Sequence, residues 1–145
     1  MRVRPVTRLA IFARSLVIQG SWNYRTLIGG GFAFALIPLL RAIHRAEPER
    51  LREAVERHAV LFNSHPYLAS IALGAVAVLE ESGEDPRLIE RFKAALRGSL
   101  GTLGDQLVWA GWRPVCVLLA LALLLAGAPW WLGVLAFLFI YNAGH

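Results

Sequence analysis

Residues 114–144 read PVCVLLALALLLAGAPWWLGVLAFLFIYNAG, a stretch without one charged side chain. Gly127-Ala128-Pro129 cuts it into two pieces of about a dozen residues, each about 20 Å long as a helix, against about 30 Å of hydrocarbon in a bilayer. Neither piece spans alone. The run is therefore either one long span kinked at Pro129 or a hairpin that dips in and out. Trp130 and Trp131 prefer the membrane–water interface, which favours the hairpin. Cys116 reads as a small buried hydrophobe.

The rest of the chain is made of similar material. Of its 145 residues 57% are hydrophobic and 17% charged, against about 45–50% and 25% in soluble domains. A mean hydropathy of +0.52 excludes a disordered chain and argues against a soluble enzyme. One cysteine and four scattered histidines exclude a disulfide framework and a cysteine-based zinc module, and neither a metal nor a cofactor is expected.

The net charge of +5 is concentrated at one end. Arg2, Arg4, Arg8, Arg14 and Arg25 precede the first acid, Glu47, and the ten remaining basic residues balance ten acidic ones. A basic N-terminus on an apolar chain fits the positive-inside rule, which keeps residues 1–25 cytoplasmic. Leu9 to Gln19 carries Arg14 in its middle and is followed by no cleavage site, so it is not read as a signal peptide. Leu9, Phe12, Leu16 and Ile18 lie broadly on one side of a helix, either in the headgroup layer with its arginines meeting anionic lipid or packed within a larger assembly. No zinc-finger or RNA-binding signature accompanies the basic residues, so nucleic acid is not a partner.

Thr26 to Leu40 is uncharged but short, with Gly29, Gly30, Gly31 and Pro38 inside it, as in the broken or re-entrant helices of transporters. Glu47 to Phe62 is amphipathic. Leu51, Val55, Ala59 and Phe62 form its stripe, Glu53 and Arg57 an i, i+4 pair, and the charges its wet face. Asn63-Ser64-His65-Pro66 interrupts the next apolar run, which Glu80 and Glu81 end; such a polar break at membrane depth needs protein or water against it. Ser82 to Asp85 form a turn, and Asp85 with Pro86 starts another amphipathic helix. That helix has Leu88, Ile89, Phe92 and Leu96 inside and Arg87, Arg91, Lys93 and Arg97 outside. Gly98 to Asp105 lacks the Lys-Ser/Thr pair of a phosphate-binding loop and reads as flexible backbone. Its Asp105 either marks a polar pathway or caps the following helix. The fold class is thus all-α: an integral membrane protein with short, broken or re-entrant apolar helices and interfacial amphipathic ones.

Five stretches in order resemble a known family. They are Gln19-Gly20-Ser21-Trp22-Asn23-Tyr24; Gly31-Phe32-Ala33 with Ile37-Pro38; Phe62-Asn63-Ser64-His65-Pro66-Tyr67; Gly74 with Leu79-Glu80-Glu81; and Gly98 to Asp105 with Trp109 and Arg113-Pro114. Together they resemble the IID membrane subunit of the mannose/fructose/sorbose family of the bacterial sugar phosphotransferase system. The likeness runs from about Ser15 to Asn142 and implies one IID-like domain over residues 1–145. The chain stops near the family's midpoint, as an apparently truncated relative.

The resemblance implies a protein of the bacterial inner membrane, multi-pass or re-entrant, that pairs with a IIC subunit to form a sugar translocator. The phosphate travels through histidines of soluble IIA and IIB subunits. The IID subunit holds no phosphorylated or catalytic residue, so the chain is not an enzyme and His65 is expected to stay unphosphorylated. Sugar recognition falls at helix breaks shared with IIC, and the matching positions are Asn63, Ser64, His65, Asp105 and Trp109. Amide, carboxylate and aromatic face are what a sugar needs. Membrane lipid is the remaining partner. The alternatives are a non-transporting regulatory or docking partner of phosphotransferase proteins and, more weakly supported, an interfacial protein without a partner.

Overall fold

The structure, a computed structural model, describes residues 4–143; Arg2 of the basic segment and Gly144 of the apolar one lie outside these. Seven α-helices follow in order among the described residues: α1 (Pro5–Ser15), α2 (Gly29–Ile43), α3 (Pro48–His58), α4 (Pro66–Ser82), α5 (Pro86–Gly104), α6 (Arg113–Leu125) and α7 (Trp130–Ala143). A 3-10 turn over Ile18–Ser21 follows α1, and a π-helical segment over Asp105–Trp112 links α5 to α6. The chain divides into two compact units, one ending at Thr102 and the other starting at Leu103.

In the first unit α2 is the central helix, and its Phe32, Leu36, Leu39 and Leu40 are buried. Around it pack Ala54 of α3, Phe62 of the loop that follows, Ala69, Leu73 and Val76 of α4, and Ile89 and Leu100 of α5. Two glycines permit the close approach. A Cβ on Gly29 would strike the carbonyl of Val60, and one on Gly31 the carbonyl of Ile18. Both obstacles are backbone, which does not swing aside as a side chain does. Pro38 sits inside α2 without ending it, so the expected break falls ahead of the helix, over residues 22–28.

Prolines start three of the other helices, and the start at Asp85-Pro86 is the expected one. Pro48, Pro66 and Pro86 occupy first-turn positions, where a missing N–H costs nothing. The Asp85 carboxylate accepts from the N–H of Arg87 at 2.8 Å. Gly83 ends α4 at φ 72°, in the left-handed region glycine enters freely.

Two expectations are corrected here. Gly98 to Gly104 is not a flexible break but the last turns of α5. Glycine in a helix costs only about 1 kcal/mol, which packing can offset, and buried Gly101 leaves room for the Asn63 amide, 3.3 Å from where a Cβ would stand. Lys93, expected on the wet face of α5, is 3% exposed.

The second unit is a helical hairpin. The chain turns at Gly127, whose φ is 86°, and α7 packs back on α6, with Gly133 close to Leu124 and to the carbonyl of Ala120. Cys116 is buried. The helical run Pro86–Leu125 contains the one stretch among the described residues long and apolar enough to cross a membrane, and only 11% of that window is buried within the chain. A soluble core helix would be covered by its own protein. This one is not.

Candidate functional site

The site begins with Asn23. Its side-chain oxygen accepts from the N–H groups of Arg25 (3.0 Å) and Thr26 (2.9 Å), while its amide nitrogen donates to Thr26 Oγ1 (2.8 Å) and the Ser21 carbonyl (3.1 Å). An asparagine making all four bonds fixes a turn, which accounts for its place in the Gln19–Tyr24 motif. The turn is stitched to a distant loop: the N–H of Phe62 donates to the Thr26 carbonyl and the N–H of Ile28 to the Phe62 carbonyl, both at 3.2 Å. Between them Leu27 is held at φ 52°, a conformation uncommon for any residue but glycine, asparagine or aspartate.

Phe62 is buried, its ring 4.6 Å from that of Phe32, and this anchors the Asn63-Ser64-His65 segment behind it. Asn63 is exposed. Ser64 and His65 turn inward, each 5% exposed. The Ser64 hydroxyl donates to the His65 carbonyl at 3.1 Å, and the N–H of Tyr67 donates to His65 Nδ1 at 3.4 Å. His65 therefore caps α4, with its ring edge-on to Tyr67 at 5.1 Å. Of the three residues the sequence singled out here, Asn63 is the one presented to the surroundings.

Beside the Phe32 and Phe62 rings lies a charged cluster that sequence reasoning missed. Arg57 was expected to pair with Glu53 on a wet face. Its guanidinium instead donates to Glu80 Oε1 at 2.7 Å, with 12% of the Arg57 and 5% of the Glu80 side chain exposed. His58 Nε2 lies 2.8 Å from the same oxygen and the ring is fully buried. The Lys93 ammonium donates to the carbonyls of Arg57 and His58, both at 3.3 Å, and stands over the Phe32 ring at 4.8 Å. A cation at the carbonyl end of a helix complements its dipole, so Lys93 closes α3 while its stem fills the core.

Burial pushes the His58 imidazole below its ordinary value, against the pull of the Glu80 hydrogen bond. Burial alone would raise the Glu80 carboxyl, but hydrogen bonds from His58 and Arg57 outweigh it and hold the group below its usual range. The neutral imidazole thus donates from Nε2 to an ionised carboxylate. A detectable signal was there in Glu80, an acid closing an otherwise apolar helix.

Asp105 and Trp109 belong to the second unit. Asp105 is exposed in the first turn of the π-helical segment, so it caps no new helix: the backbone runs on through Gly104 in helical conformation. A π-helical turn inside a long helix is rare and occurs disproportionately at functional sites. Trp109 is half-exposed, and the Arg113 guanidinium lies 5.0 Å over its ring. Trp112 donates from its indole N–H to the Tyr141 carbonyl at 3.3 Å, tying the segment to α7. Chemically, the candidates offer an amide, a carboxylate and an aromatic ring. Among the described residues no group of three His, Cys, Asp or Glu side chains could hold a metal.

A family model described as the mannose/fructose/sorbose family IID component of the phosphotransferase (PTS) system matches residues 3–145. The chain is 33% identical to the PTS mannose-specific EIID component of Escherichia coli (strain K12) over 137 residues, 91% of this chain and 48% of that protein. It is 33% identical to the sorbose-specific EIID component of Klebsiella pneumoniae over 140 residues, 93% of this chain and 50% of that protein. The chain spans about half the length of the curated relatives it matches. In structure it is similar to a chain in a cryo-EM complex of the mannose transporter ManYZ with a microcin. There the TM-score is 0.88 at 31% identity, covering 98% of this chain and 53% of that one.

Proposed function

The chain belongs to the mannose/fructose/sorbose family of phosphotransferase-system IID components, and on that premise we propose that it is the membrane subunit which, with a IIC subunit, forms the path of a mannose-type hexose across the bacterial cytoplasmic membrane. Partner IIA and IIB subunits phosphorylate the sugar. The chain itself contributes no catalytic residue, and His65, buried and used as a helix cap, stays unphosphorylated. The basic N-terminal segment lies on the cytoplasmic side, and the α6–α7 hairpin enters the membrane.

The observation that carries this reading is the exposed Asn63 at the end of a stitched, doubly anchored loop. Its amide packs beside Gly101 and is still exposed, so it can meet a hydroxyl-bearing ligand. Asp105, at the start of the π-helical segment, and Trp109 complete the proposed contact set, with Ser64 and His65 holding Asn63 in place. The relatives carry sugar-specific component names, which gives the alternative of a non-transporting docking partner no support.

The test is sugar uptake by the chain co-expressed with a IIC partner. Asn63→Ala and Asp105→Asn each leave a buried ligand hydroxyl unpaired, a loss of about 1–3 kcal/mol or roughly tenfold to a hundredfold in affinity. Glu53→Ala, on the exposed face of α3, is the control. Normal transport by both site variants, in complexes that assemble normally, overturns the site.

A further inference from the structure

A groove of about 340 Å³ lies in the first unit between α1, α2 and α4. Leu39, Leu73 and Ala77 line its depth, and Ile11, Phe12 and Val78 its walls. The polar groups belong to the helix ends: Ser15 and Ser70 on one pair, Arg8 and Glu81 on the other. Arg8 Nη2 is 3.7 Å from Glu81 Oε2, a loose contact that leaves 63% of the Arg8 side chain exposed. An apolar trough with a few polar groups at its rim, at the small end of the roughly 300–1,000 Å³ range of ligand pockets, is the usual form of a site for an apolar guest.

The helix that forms one wall says which guest. No residue of α1 is buried, and Val6, Leu9, Phe12 and Leu16 are all exposed. Arg4, Arg8 and Arg14 accompany them, with no acid in the helix. An exposed apolar row with cations beside it suits the anionic headgroup layer of a membrane. A single hydrocarbon chain is thin enough to lie along such a trough between helices. We infer that the groove seats one acyl chain of an anionic phospholipid, whose phosphate meets Arg8 at the rim beside Glu81. The site is independent of the sugar reading: it uses none of Asn63, Asp105 or Trp109.

Gly74 provides the decisive variant. It lines the groove, and a Cβ placed on it meets nothing within 4 Å, so Gly74→Phe starts from open space, adds its ring to the groove and raises helix propensity. The full chain is placed in phosphatidylcholine nanodiscs containing phosphatidylglycerol with a diazirine in its acyl chain, and photolabelled residues are mapped by mass spectrometry. Leu73 and Ala77 are expected to label preferentially. Gly74→Phe lowers that labelling about tenfold or more while the exposed Leu9 and Leu16 label as before. Arg8→Gln removes the preference for phosphatidylglycerol over a phosphatidylcholine carrying the same diazirine. Val78→Trp, which narrows the groove from an exposed position, is the second variant if Gly74→Phe loses its helical circular dichroism. Unchanged labelling of Leu73 and Ala77 in the filled groove overturns the inference. So does equal labelling by the two lipids in the unmodified chain, or protein–protein crosslinks there in place of lipid.

Discussion

Replacing Glu80 by glutamine removes the one negative charge that Arg57 and His58 share, while leaving volume and shape nearly intact. Two hydrogen bonds converge on Glu80 Oε1, at 2.7 Å from Arg57 and 2.8 Å from His58, with the carboxylate 5% exposed. Losing one partner of a buried pair costs about 3–5 kcal/mol, because the other charge stays behind without compensation. Glutamine keeps an acceptor oxygen, which puts Glu80→Gln at the lower end, about 3 kcal/mol. The exposed pair Arg52–Glu56, 2.9 Å apart with side chains 73% and 64% exposed, is the internal standard: Glu56→Gln is expected to cost under about 1 kcal/mol. Unfolding of each variant is followed by far-UV circular dichroism across an SDS titration in mixed micelles. A double-mutant cycle with Arg57→Gln adds a second reading, since partners in one network give less than additive losses. If Glu80→Gln unfolds within error of Glu56→Gln, or if the cycle is additive, the buried cluster does not hold the unit together and the reasoning fails.

Acid should loosen the same cluster. His58 is held below its ordinary value of 6.5, so as pH falls through that value the unfolded chain takes up a proton the folded one refuses, and stability is lost; depressed Glu80 adds a loss of the same sign further down. The unfolding midpoint measured between pH 8 and pH 5 is expected to fall with acidification and to flatten in His58→Gln; a midpoint that climbs instead contradicts the assignment. Substituting glycines should give opposite signs at two sites in the first unit. Gly31→Ala drives a methyl into the Ile18 carbonyl and costs about 1–3 kcal/mol, whereas Gly74→Ala, in open space, gains up to about 1 kcal/mol from helix propensity; equal effects in thermal unfolding would mean that α2 is not tightly packed there.

Much of this was legible in the residues. The uncharged runs, the basic start, the prolines at helix entries and the ordered motifs led to an all-α membrane protein of the IID family. What stayed hidden depended on distance in space. A helical stripe sorts side chains by type, so it put Lys93 outside, although its stem packs in the core and its ammonium finds the last carbonyls of α3. It paired Arg57 with its neighbour Glu53, because no local rule reaches Glu80. Three glycines suggested a break, yet α5 continues through them. Of the candidate site, Asn63 and its setting in a polar break were readable. That Ser64 and His65 face inward was not, since short polar residues in a loop carry no mark of which way they turn.

The hydrogen bonds joining Thr26 and Ile28 to Phe62 also impose a timetable. At ordinary synthesis rates, the about 34 residues between Ile28 and Phe62 take roughly 2–7 s to appear. Through that interval the Asn23 turn has no distant partner, Leu27 is held only by its bonds to Asn23 within the turn, and the carbonyls that Gly29 must approach do not yet exist. The amino-terminal helices of a nascent chain thus wait, incompletely joined, until the loop after α3 leaves the ribosome. A chain arrested just short of Phe62 would hold α1, α2 and α3 and lack their fastening.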